Sequence, residues 1–497
     1  MTDRPNILFA LADDWSYGHA AAYGCSWVHM PAFDRVASEG LLFDHAYTPN
    51  AKCAPSRAAV LTGRNSWQLK EAGNHGGFFP PEFKTFPAAL AEHGYHCGLT
   101  EKGWAPGIAL TAAGEHRPLI GRSYDEQKLE PPTPDICPND YAANFADFLD
   151  DNPDGKPWFF WYGCIEPHRA YTYGSGAKLG GKSIDDIDHV PGIWPDNDEV
   201  RNDLLDYAFE AEHFDAHLGR MLAELERRGE MKNTIVVVTS DNGMPFPRAK
   251  GQEYEISNHL PLAIRWPAGI SDPGRTITDF VSFIDFAPTL LAAAGINWND
   301  TGMATTPGRS LFDCFEGEDT SSRDHVLIGK ERHDVGRPFD AGYPIRGLRE
   351  GDWLYLHNFE PDRWPAGNPE TGYLNCDGSP TKTAILQSRE DPKQAHYWQN
   401  AFGKRPATEL YHIASDPDCL TNLADHSQHT DRREAMHARL FASLAAQNDP
   451  RLTNGPQIDE YPPAIEKWRG FYEKHQRGAA FAPEWAHPSD FQTTEGK

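Results

Sequence analysis

Short apolar runs alternate with amphipathic stretches through the first two-thirds of the chain. Residues 6–12, 158–165 and 234–239 form runs without a charged side chain, which predicts buried strands. Residues 203–228 instead place apolar side chains at helical spacing, and Gly229 follows as a residue that favours a helix end. Strands that alternate with helices predict an α/β fold with a large, mostly parallel central sheet and helices on both faces.

The pattern changes at about residue 343. Beyond it the chain has short strand-like pieces such as residues 353–356, is rich in Gly, Pro and Trp, and returns to a helical pattern only at residues 432–446. We therefore predict a catalytic domain at residues 1–342 and a smaller C-terminal α+β domain at residues 343–497. The last stretch, from about Tyr461, is expected to run over the surface as an extended tail.

Polar oxygen donors follow two of the predicted strands directly. Asp13 and Asp14 come after the first strand, and Asp241 and Asn242 come after the strand at residues 234–239. Either pair alone is more typical of a turn or a helix cap. Together, at strand ends where ligands collect in parallel sheets, three carboxylates and an amide oxygen indicate a calcium or magnesium site rather than a zinc site.

Residues 53–64, with the sequence CAPSRAAVLTGR, predict a helix with a chemical group at its start. Pro55 suits a first helical turn, and Gly63 suits a helix end. Cys53 then lies at a helix N-terminus, where unpaired N–H groups favour an anion, and Arg57 adds positive charge on the same face. A buried cysteine that only caps a helix is the structural alternative.

This segment resembles the type I sulfatase signature, C-x-P-S-R-x-x-x-L-T-G-R, at every fixed position. The resemblance implies an alkaline-phosphatase-like sandwich and a Cys53 that a formylglycine-generating maturation enzyme oxidises to formylglycine. A hydroxyl of the hydrated aldehyde would attack sulfur and form a covalent sulfoenzyme. The resemblance also implies one divalent cation, usually calcium with magnesium as the alternative, bound by Asp13, Asp14, Asp241, Asn242 and an oxygen of the modified Cys53.

The same resemblance assigns three further residues to the sulfate pocket. It places Lys102 and Lys250 on sulfate oxygens, and it places His168 on the leaving group or on sulfate. The chain departs from the family pattern at Trp104, where the family carries a histidine that helps to break down the sulfated intermediate. The sequence therefore does not identify the residue that acts as the base in that step. We expect Trp104 to stack on a sugar ring instead.

The resemblance is strongest to sulfamidase (heparan N-sulfatase) and its bacterial relatives, and it runs from about Arg4 to about Tyr411. It implies a carbohydrate sulfatase acting on the terminal sulfated sugar of a polysaccharide or glycosaminoglycan, with N-sulfate and O-sulfate both open. The alternatives are a phosphonate monoester or phosphodiester hydrolase of the same superfamily and a sugar-binding pseudoenzyme.

One segment is unusually dense in charge, residues 330–337 together with Arg346. Charge runs of this kind are often solvated loops. The alternative is a sugar subsite at the junction of the two domains, with hydrogen-bonding and cationic groups from a set of four residues, namely His333, Asp334, Arg337 and Arg346.

Amino-acid composition excludes some classes of binding partner. The 497 residues carry a formal net charge of −26, which argues against nucleic acid or an anionic membrane surface as a partner. An anionic substrate must therefore enter a local basic pocket. The eight cysteines include no C-x-x-C pair, so they indicate neither a zinc site nor a disulfide scaffold. No signal peptide or membrane-length apolar stretch is visible, which predicts a cytoplasmic location, or a periplasmic or secreted one if a leader has been removed.

Overall fold

The computed structural model describes residues 4–152, 155–317, 322–453, 461–478, 483 and 485–492. In these ranges the strands are β1 (Asn6–Ala12), β2 (Leu41–Tyr47), β3 (Phe78–Phe79), β4 (His96–Glu101), β5 (Ile108–Ala109), β6 (Arg122–Ser123), β7 (Trp158–Gly163), β8 (Thr234–Ser240), β9 (Leu262–Arg265), β10 (Arg275–Ser282), β11 (His325–Lys330), β12 (Ile345–Glu350), β13 (Trp353–Asn358) and β14 (Thr408–His412). The α-helices are α1 (Pro31–Ser38), α2 (Cys53–Thr62), α3 (Phe86–Glu92), α4 (Tyr141–Asp150), α5 (Ser175–Lys178), α6 (Asp198–Arg228), α7 (Glu255–Asn258), α8 (Phe286–Ala293), α9 (Phe312–Glu316), α10 (Pro380–Ser388), α11 (Ala395–Phe402), α12 (Thr430–Ala446) and α13 (Phe471–Gln476).

The predicted central sheet is present and mostly parallel. Its order is β10-β2-β9-β8-β1-β7-β4-β6, and only β9 runs antiparallel to its neighbours. Strand β1 lies between β7 and β8 and pairs in parallel with both. The carboxyl ends of β7, β1 and β8 therefore lie side by side at one edge of the sheet, which is where ligands bind in open α/β folds.

Both faces of this sheet are covered. Alternate side chains of β1 point to opposite faces, so that Leu8 joins a core with α1, α4 and α6 while Phe9 joins a core with α2, α3 and α8. Because both cores are apolar, the central strands are buried on both sides and read as continuous apolar runs in the sequence. The layered α/β prediction is therefore confirmed.

A second sheet packs beside the first. Strands β11, β12, β13 and β14 form an antiparallel meander. Helix α12 covers one face through Met436, Leu440 and Leu444, which pack with Leu348 and Tyr355 of the sheet. The sheet begins at β11, N-terminal to the boundary that the sequence predicts at residue 343, because β11 pairs with β12 rather than with the central sheet.

The C-terminal segment differs from the extended surface tail predicted from about Tyr461. Trp468 and Phe471 are buried, and α13 is helical. Residues 479–482, 484 and 493–497 of that prediction lie outside the described residues. No helix in the described ranges combines the length and the apolar composition needed to cross a bilayer.

Candidate active site

The two polar pairs meet at the carboxyl ends of adjacent strands. Ala12 and Ser240 are partners in the β1–β8 ladder, so the residues that follow them emerge side by side. The backbone N–H of Asp14 donates to Oδ1 of Asp241 at 3.1 Å, and Nδ2 of Asn242 donates to Oδ1 of Asp14 at 2.6 Å. The structure thus brings Asp13, Asp14, Asp241 and Asn242 together, all of them fully buried.

Helix α2 supplies Cys53 to this cluster. The helix begins at Cys53 and ends before Gly63, whose φ of 68° is the left-handed conformation that favours glycine. Ligand atoms of Asp13, Asp14, Cys53 and Asp241 all lie within 4.8 Å of one another, with Cys53 Sγ 3.3 Å from Asp13 Oδ1. Burial and the Asp13 charge raise the pKa of the Cys53 thiol well above its usual value, which makes the unmodified thiol a poor nucleophile.

The donor set fits a hard divalent cation. Among the described residues, the buried Oδ1 of Asn242 has no hydrogen-bond donor, although its Nδ2 is engaged. Burial and neighbouring carboxylates raise the pKa of Asp14 to about 6 and that of Asp241 to about 7, against the effect of nearby cations. Closely spaced buried carboxylates and an unpaired amide oxygen are what a calcium or magnesium ion would neutralise.

Arg57 fixes the cluster from inside the protein. It is fully buried one helical turn after Cys53, and its Nε donates to Asp241 Oδ2 at 2.7 Å. Its Nη1 donates to the carbonyl oxygens of Lys102 and Gly103 at 2.7 and 3.0 Å. Arg57 therefore ties α2, β8 and the end of β4 into one charged unit.

Three cationic or titratable residues surround Cys53, as the resemblance implies. Lys102 pairs with Asp13, and Lys250 Nζ lies 2.7 Å from Asp14 Oδ2. His168 offers a ring nitrogen within 4.8 Å of Asp13 and Cys53, while its Nδ1 lies 2.5 Å from the carbonyl oxygen of Arg169. Burial and Lys250 lower the pKa of His168 to about 4.

Residues that the sequence reasoning missed extend the cluster. Lys52 Nζ lies 2.7 Å from Asp334 Oδ2, and His75 Nδ1 lies 2.6 Å from Asp334 Oδ1. Asp377 Oδ2 lies 3.0 Å from Lys250 Nζ. The position of Lys52 directly before Cys53 was a usable signal, whereas no sequence pattern pointed to His75 or Asp377.

A cavity of about 810 Å³ opens onto this cluster. Cys53, Lys102, His168 and Lys250 line it together with the newly found residues Lys52, His75, Asp334 and Asp377. Its volume lies within the range of about 300–1,000 Å³ that is typical of small-molecule sites.

Trp104 lines the same cavity and is half-buried. Its Nε1 donates to the carbonyl oxygen of Ala54 at 2.9 Å, and its ring meets Phe79 edge to face at 5.2 Å between centroids. These contacts fix the indole and use its N–H. The stacking of Trp104 on a sugar stays a prediction.

The charge-dense segment is neither a solvated loop nor the predicted subsite as a whole, because its side chains turn inward. His333 is buried with Nε2 2.6 Å from Asn50 Oδ1, and Arg337 is buried with Nε donating to Trp364 O at 2.8 Å. Arg346 is buried between Glu331 and Asp449. None of these three residues is among the described residues that line the cavity, and Asp334 alone of the four predicted residues does so.

Comparison with known proteins gives the following likenesses. A sulfatase family model matches residues 5–296. N-sulphoglucosamine sulphohydrolase of Homo sapiens is 25% identical over 486 residues, spanning 90% of this chain and 91% of the human protein. A solved structure described as a complex with its substrate D-glucosamine-2-N,6-O-disulfate is similar with a TM-score of 0.62 and 18% identity, covering 93% of this chain and 100% of that one.

A second solved structure, phosphonate monoester hydrolase of Agrobacterium radiobacter, is similar with a TM-score of 0.59 and 18% identity over 89% of this chain and 96% of that one. At this level of identity the structural likenesses concern the fold. They confirm the prediction of an alkaline-phosphatase-like sandwich with a large, mostly parallel central sheet.

Proposed function

The chain belongs to the sulfatase family, and from this premise we propose that it removes sulfate from a terminal sulfated sugar of a polysaccharide or glycosaminoglycan. The observation that carries the proposal is the position of Cys53, at a helix start within 4.8 Å of three buried carboxylates and open to the cavity. A cysteine that only stabilises the fold needs no carboxylates beside it, whereas a nucleophile that acts next to a bound cation does. The names of two similar proteins refer to N-sulphoglucosamine and to D-glucosamine-2-N,6-O-disulfate, which supports a sulfated sugar as the substrate.

Two groups that the family implies would complete the site. Formylglycine made from Cys53 would supply a hydrated-aldehyde oxygen as the nucleophile. A divalent cation, calcium in our proposal, would be held by Asp13, Asp14, Asp241 and Asn242 and would stabilise negative charge on oxygen.

The side chains around Cys53 would bind and orient the sulfate group. The ammonium groups of Lys102 and Lys250 line the cavity and would hold sulfate oxygens, while their present partners, Asp13 and Asp14, would turn to the cation. Arg57 already directs Nε to Asp241 and Nη1 to two carbonyl oxygens, and its Nη2 lies 3.7 Å from Asp13 Oδ1. We therefore assign it to holding the carboxylates and α2 in place rather than to sulfate.

His168 is the proton carrier in this proposal. With Nδ1 at the carbonyl oxygen of Arg169, a neutral ring keeps its proton on Nδ1 and presents Nε2 as an acceptor. Trp104 has no such acceptor, since its only ring nitrogen donates to Ala54. Nε2 of His168 would therefore accept the proton that the attacking hydroxyl releases and donate it to the leaving-group atom bonded to sulfur.

The proposal is tested with protein produced together with a formylglycine-generating enzyme. We expect the tryptic peptide that contains Cys53 to show the mass of the aldehyde and to react with a carbonyl reagent. Activity towards sulfated glucosamine should require that modification. Full activity of protein with an unmodified thiol would contradict the formylglycine chemistry.

Paired esters separate sulfatase from phosphonate or phosphate hydrolysis. We expect kcat/KM on 4-nitrophenyl sulfate to exceed that on 4-nitrophenyl phosphate and on phenyl phosphonate esters. The reverse order would favour the phosphonate hydrolase, because tetrahedral sulfate and phosphate need similar oxygen clamps. A sugar-binding pseudoenzyme would instead bind the sulfated sugar without turnover although Cys53 is modified.

A further inference from the structure

The C-terminal segment reaches the cavity that contains Cys53. Trp468 and Trp485, both from this segment, are among the residues that line it. The segment is tied to the catalytic domain next to His75, because the backbone N–H of Ala464 donates to the carbonyl oxygen of Gly76 at 2.8 Å. The last part of the chain is therefore placed to contact a substrate.

The two indoles form a fixed aromatic wall. Their centroids lie 5.1 Å apart with the ring planes at 72°, and Trp485 Nε1 donates to the carbonyl oxygen of Leu374 at 3.0 Å. Trp468 lies so close over Gly76 that a Cβ there would be 2.3 Å from its Cζ3 atom. Gly76 is thus required by this close approach, and the wall is part of the packed protein rather than a loose tail.

The same segment packs behind two carboxylates that face the cavity. Trp468 and Phe471 form an apolar cluster with Val335 and Leu374, which flank the segments carrying Asp334 and Asp377. Asp334 is ion-paired with Lys52 and Asp377 with Lys250. Burial alone would raise the pKa of each carboxyl, but Lys52 and His75 lower that of Asp334, and Lys250 and Lys52 lower that of Asp377, well below the usual range. Both therefore line the cavity as carboxylates.

An aromatic wall and carboxylates together restrict the ligand. Aromatic rings pack against apolar faces, and carboxylates accept hydrogen bonds from hydroxyl or amino groups. Lys52 and Lys250 line the same cavity and offset the negative charge of these carboxylates, but a hydroxyl that carries a sulfate has no hydrogen to donate to them. These are the requirements of a pyranose ring with free hydroxyls, and they disfavour a second sulfate.

We propose that Trp468, Trp485, Asp334 and Asp377 form the subsite for the ring that carries the scissile sulfate. The wall contacts the apolar face of the ring, and the carboxylates accept hydrogen bonds from its unsulfated positions. The enzyme therefore prefers a monosulfated to a disulfated ring. This inference rests on the proposed function, which it deepens by naming the substrate class.

The wall is tested on Trp485, which is half-buried and easier to replace than Trp468. In the mature enzyme, Trp485→Leu should lower kcat/KM on glucosamine 6-sulfate by about tenfold, the loss of ~1.4 kcal/mol of ring contact. Trp485→Phe, which keeps an aromatic ring, should restore most of the loss. Phe491→Leu is the matched control, since Phe491 belongs to the same segment and does not line the cavity.

The carboxylates are tested through a ratio of substrates. Asp377→Asn keeps the shape of the side chain but also affects Lys250, so activity on one substrate alone does not report on recognition. We expect wild-type enzyme to favour glucosamine 6-sulfate over glucosamine 2-N,6-O-disulfate, and Asp377→Asn to reduce that preference about tenfold. An unchanged ratio would remove Asp377 from the subsite.

Binding separates this inference from the proposed function. Protein with Cys53→Ala is titrated calorimetrically with glucosamine 6-sulfate, with and without Trp485→Leu. A matching loss of affinity supports the subsite even if the wild-type enzyme does not hydrolyse this sugar. An affinity for glucosamine 6-sulfate that Trp485→Leu leaves unchanged would overturn it.

Discussion

Two clusters of buried charged residues in this protein differ in the signs of the charges that they bring together. The metal-site cluster, defined as Asp13, Asp14, Asp241 and Asn242, gathers three carboxylates around one point. The paired cluster, defined as Glu331, Arg346, Asp449 and Arg451, alternates in sign, with Arg346 Nε 2.6 Å from Asp449 Oδ2 and Arg346 Nη2 2.5 Å from Glu331. Arg451 also pairs with Glu331, and the Arg346 guanidinium lies over the Trp67 ring.

The two clusters differ in how far the surrounding protein groups stabilise their buried charges. Arg57, Lys102 and Lys250 pair with the three carboxylates of the metal-site cluster, yet burial and neighbouring carboxylates still raise the pKa values of Asp14 and Asp241. In the paired cluster, burial opposes the charge of Arg346, but Glu331 and Asp449 raise its pKa above its usual value. Charge density alone therefore does not indicate function, whereas buried carboxyl groups with raised pKa values next to a cavity do.

The largest effect on the metal-site cluster is expected from Asp241→Ala. We expect activity to fall to background and calcium binding to be lost, because the change removes one cation ligand and the partner of Arg57. Chelation of wild-type enzyme should have the same effect and be reversed by added calcium. Calcium titration and sulfate release measure this, and native calcium affinity in the variant would remove Asp241 from the site.

The control for that variant is Asp272→Ala, at a carboxylate that is 85% exposed. It should change neither activity nor calcium binding. The fold of Asp241→Ala should survive, because its site lies at a strand end, and circular dichroism checks this.

Arg346→Met should act on stability instead. It would leave Glu331 and Asp449 buried with less positive charge, which costs about 3–5 kcal/mol of folding free energy. The folded fraction should retain its kcat, because Arg346 does not line the cavity. Urea unfolding measures the loss, and Arg227→Met, on an exposed helix face, is the matched control. A selective loss of kcat with normal stability would return Arg346 to substrate binding.

Arg57→Ala should give an intermediate result. We expect kcat to fall by about 10²–10³-fold, because α2 and the carboxylates lose their shared anchor. Calcium affinity should fall much less, since all four cation ligands remain. Arg57→Lys should recover little, because one ammonium cannot bridge Asp241 and two carbonyl oxygens. Unchanged kcat in Arg57→Ala would leave Arg57 with a structural role alone.

Glu255→Gln tests a balanced pair between the two sheets. Burial alone would raise the pKa of Glu255, but Arg349, 3.0 Å away on β12, together with His259 and Tyr47 lowers it to about 2. A carboxyl pKa below its unfolded value of about 4.5 adds stability above that pH, which is lost as pH falls towards 2.

The substitution should therefore cost about 3 kcal/mol at pH 7 and roughly half as much at pH 3. Denaturant unfolding at a series of pH values measures the difference from wild type. Glu226→Gln, at an exposed ion pair, is the control and should show little change at any pH. A penalty that does not vary with pH would show that the pKa of Glu255 is the same in the folded and the unfolded protein.

Strand and helix positions followed closely from local pattern. The apolar run at β1 matches the predicted range, and α2 begins at Cys53 and ends before Gly63 as predicted. Both depend on neighbouring residues, namely apolar periodicity, a proline in the first turn and a glycine after the last. The grouping of Asp13, Asp14, Asp241 and Asn242 was also predictable, because parallel strands bring their carboxyl ends to one edge.

The sequence by itself thus determined the α/β class, the position of Cys53 at a helix start and the aspartate pairs at strand ends. Only the tertiary structure decided which charged residues face the cavity. Asp334 lines it, while the neighbouring His333 and nearby Arg337 are satisfied inside the protein. Likewise, only long-range packing brings Trp468 and Asp377 to the same cavity as Cys53. The physical reason is that secondary structure depends on neighbours in the chain, whereas exposure to a cavity depends on partners hundreds of residues away.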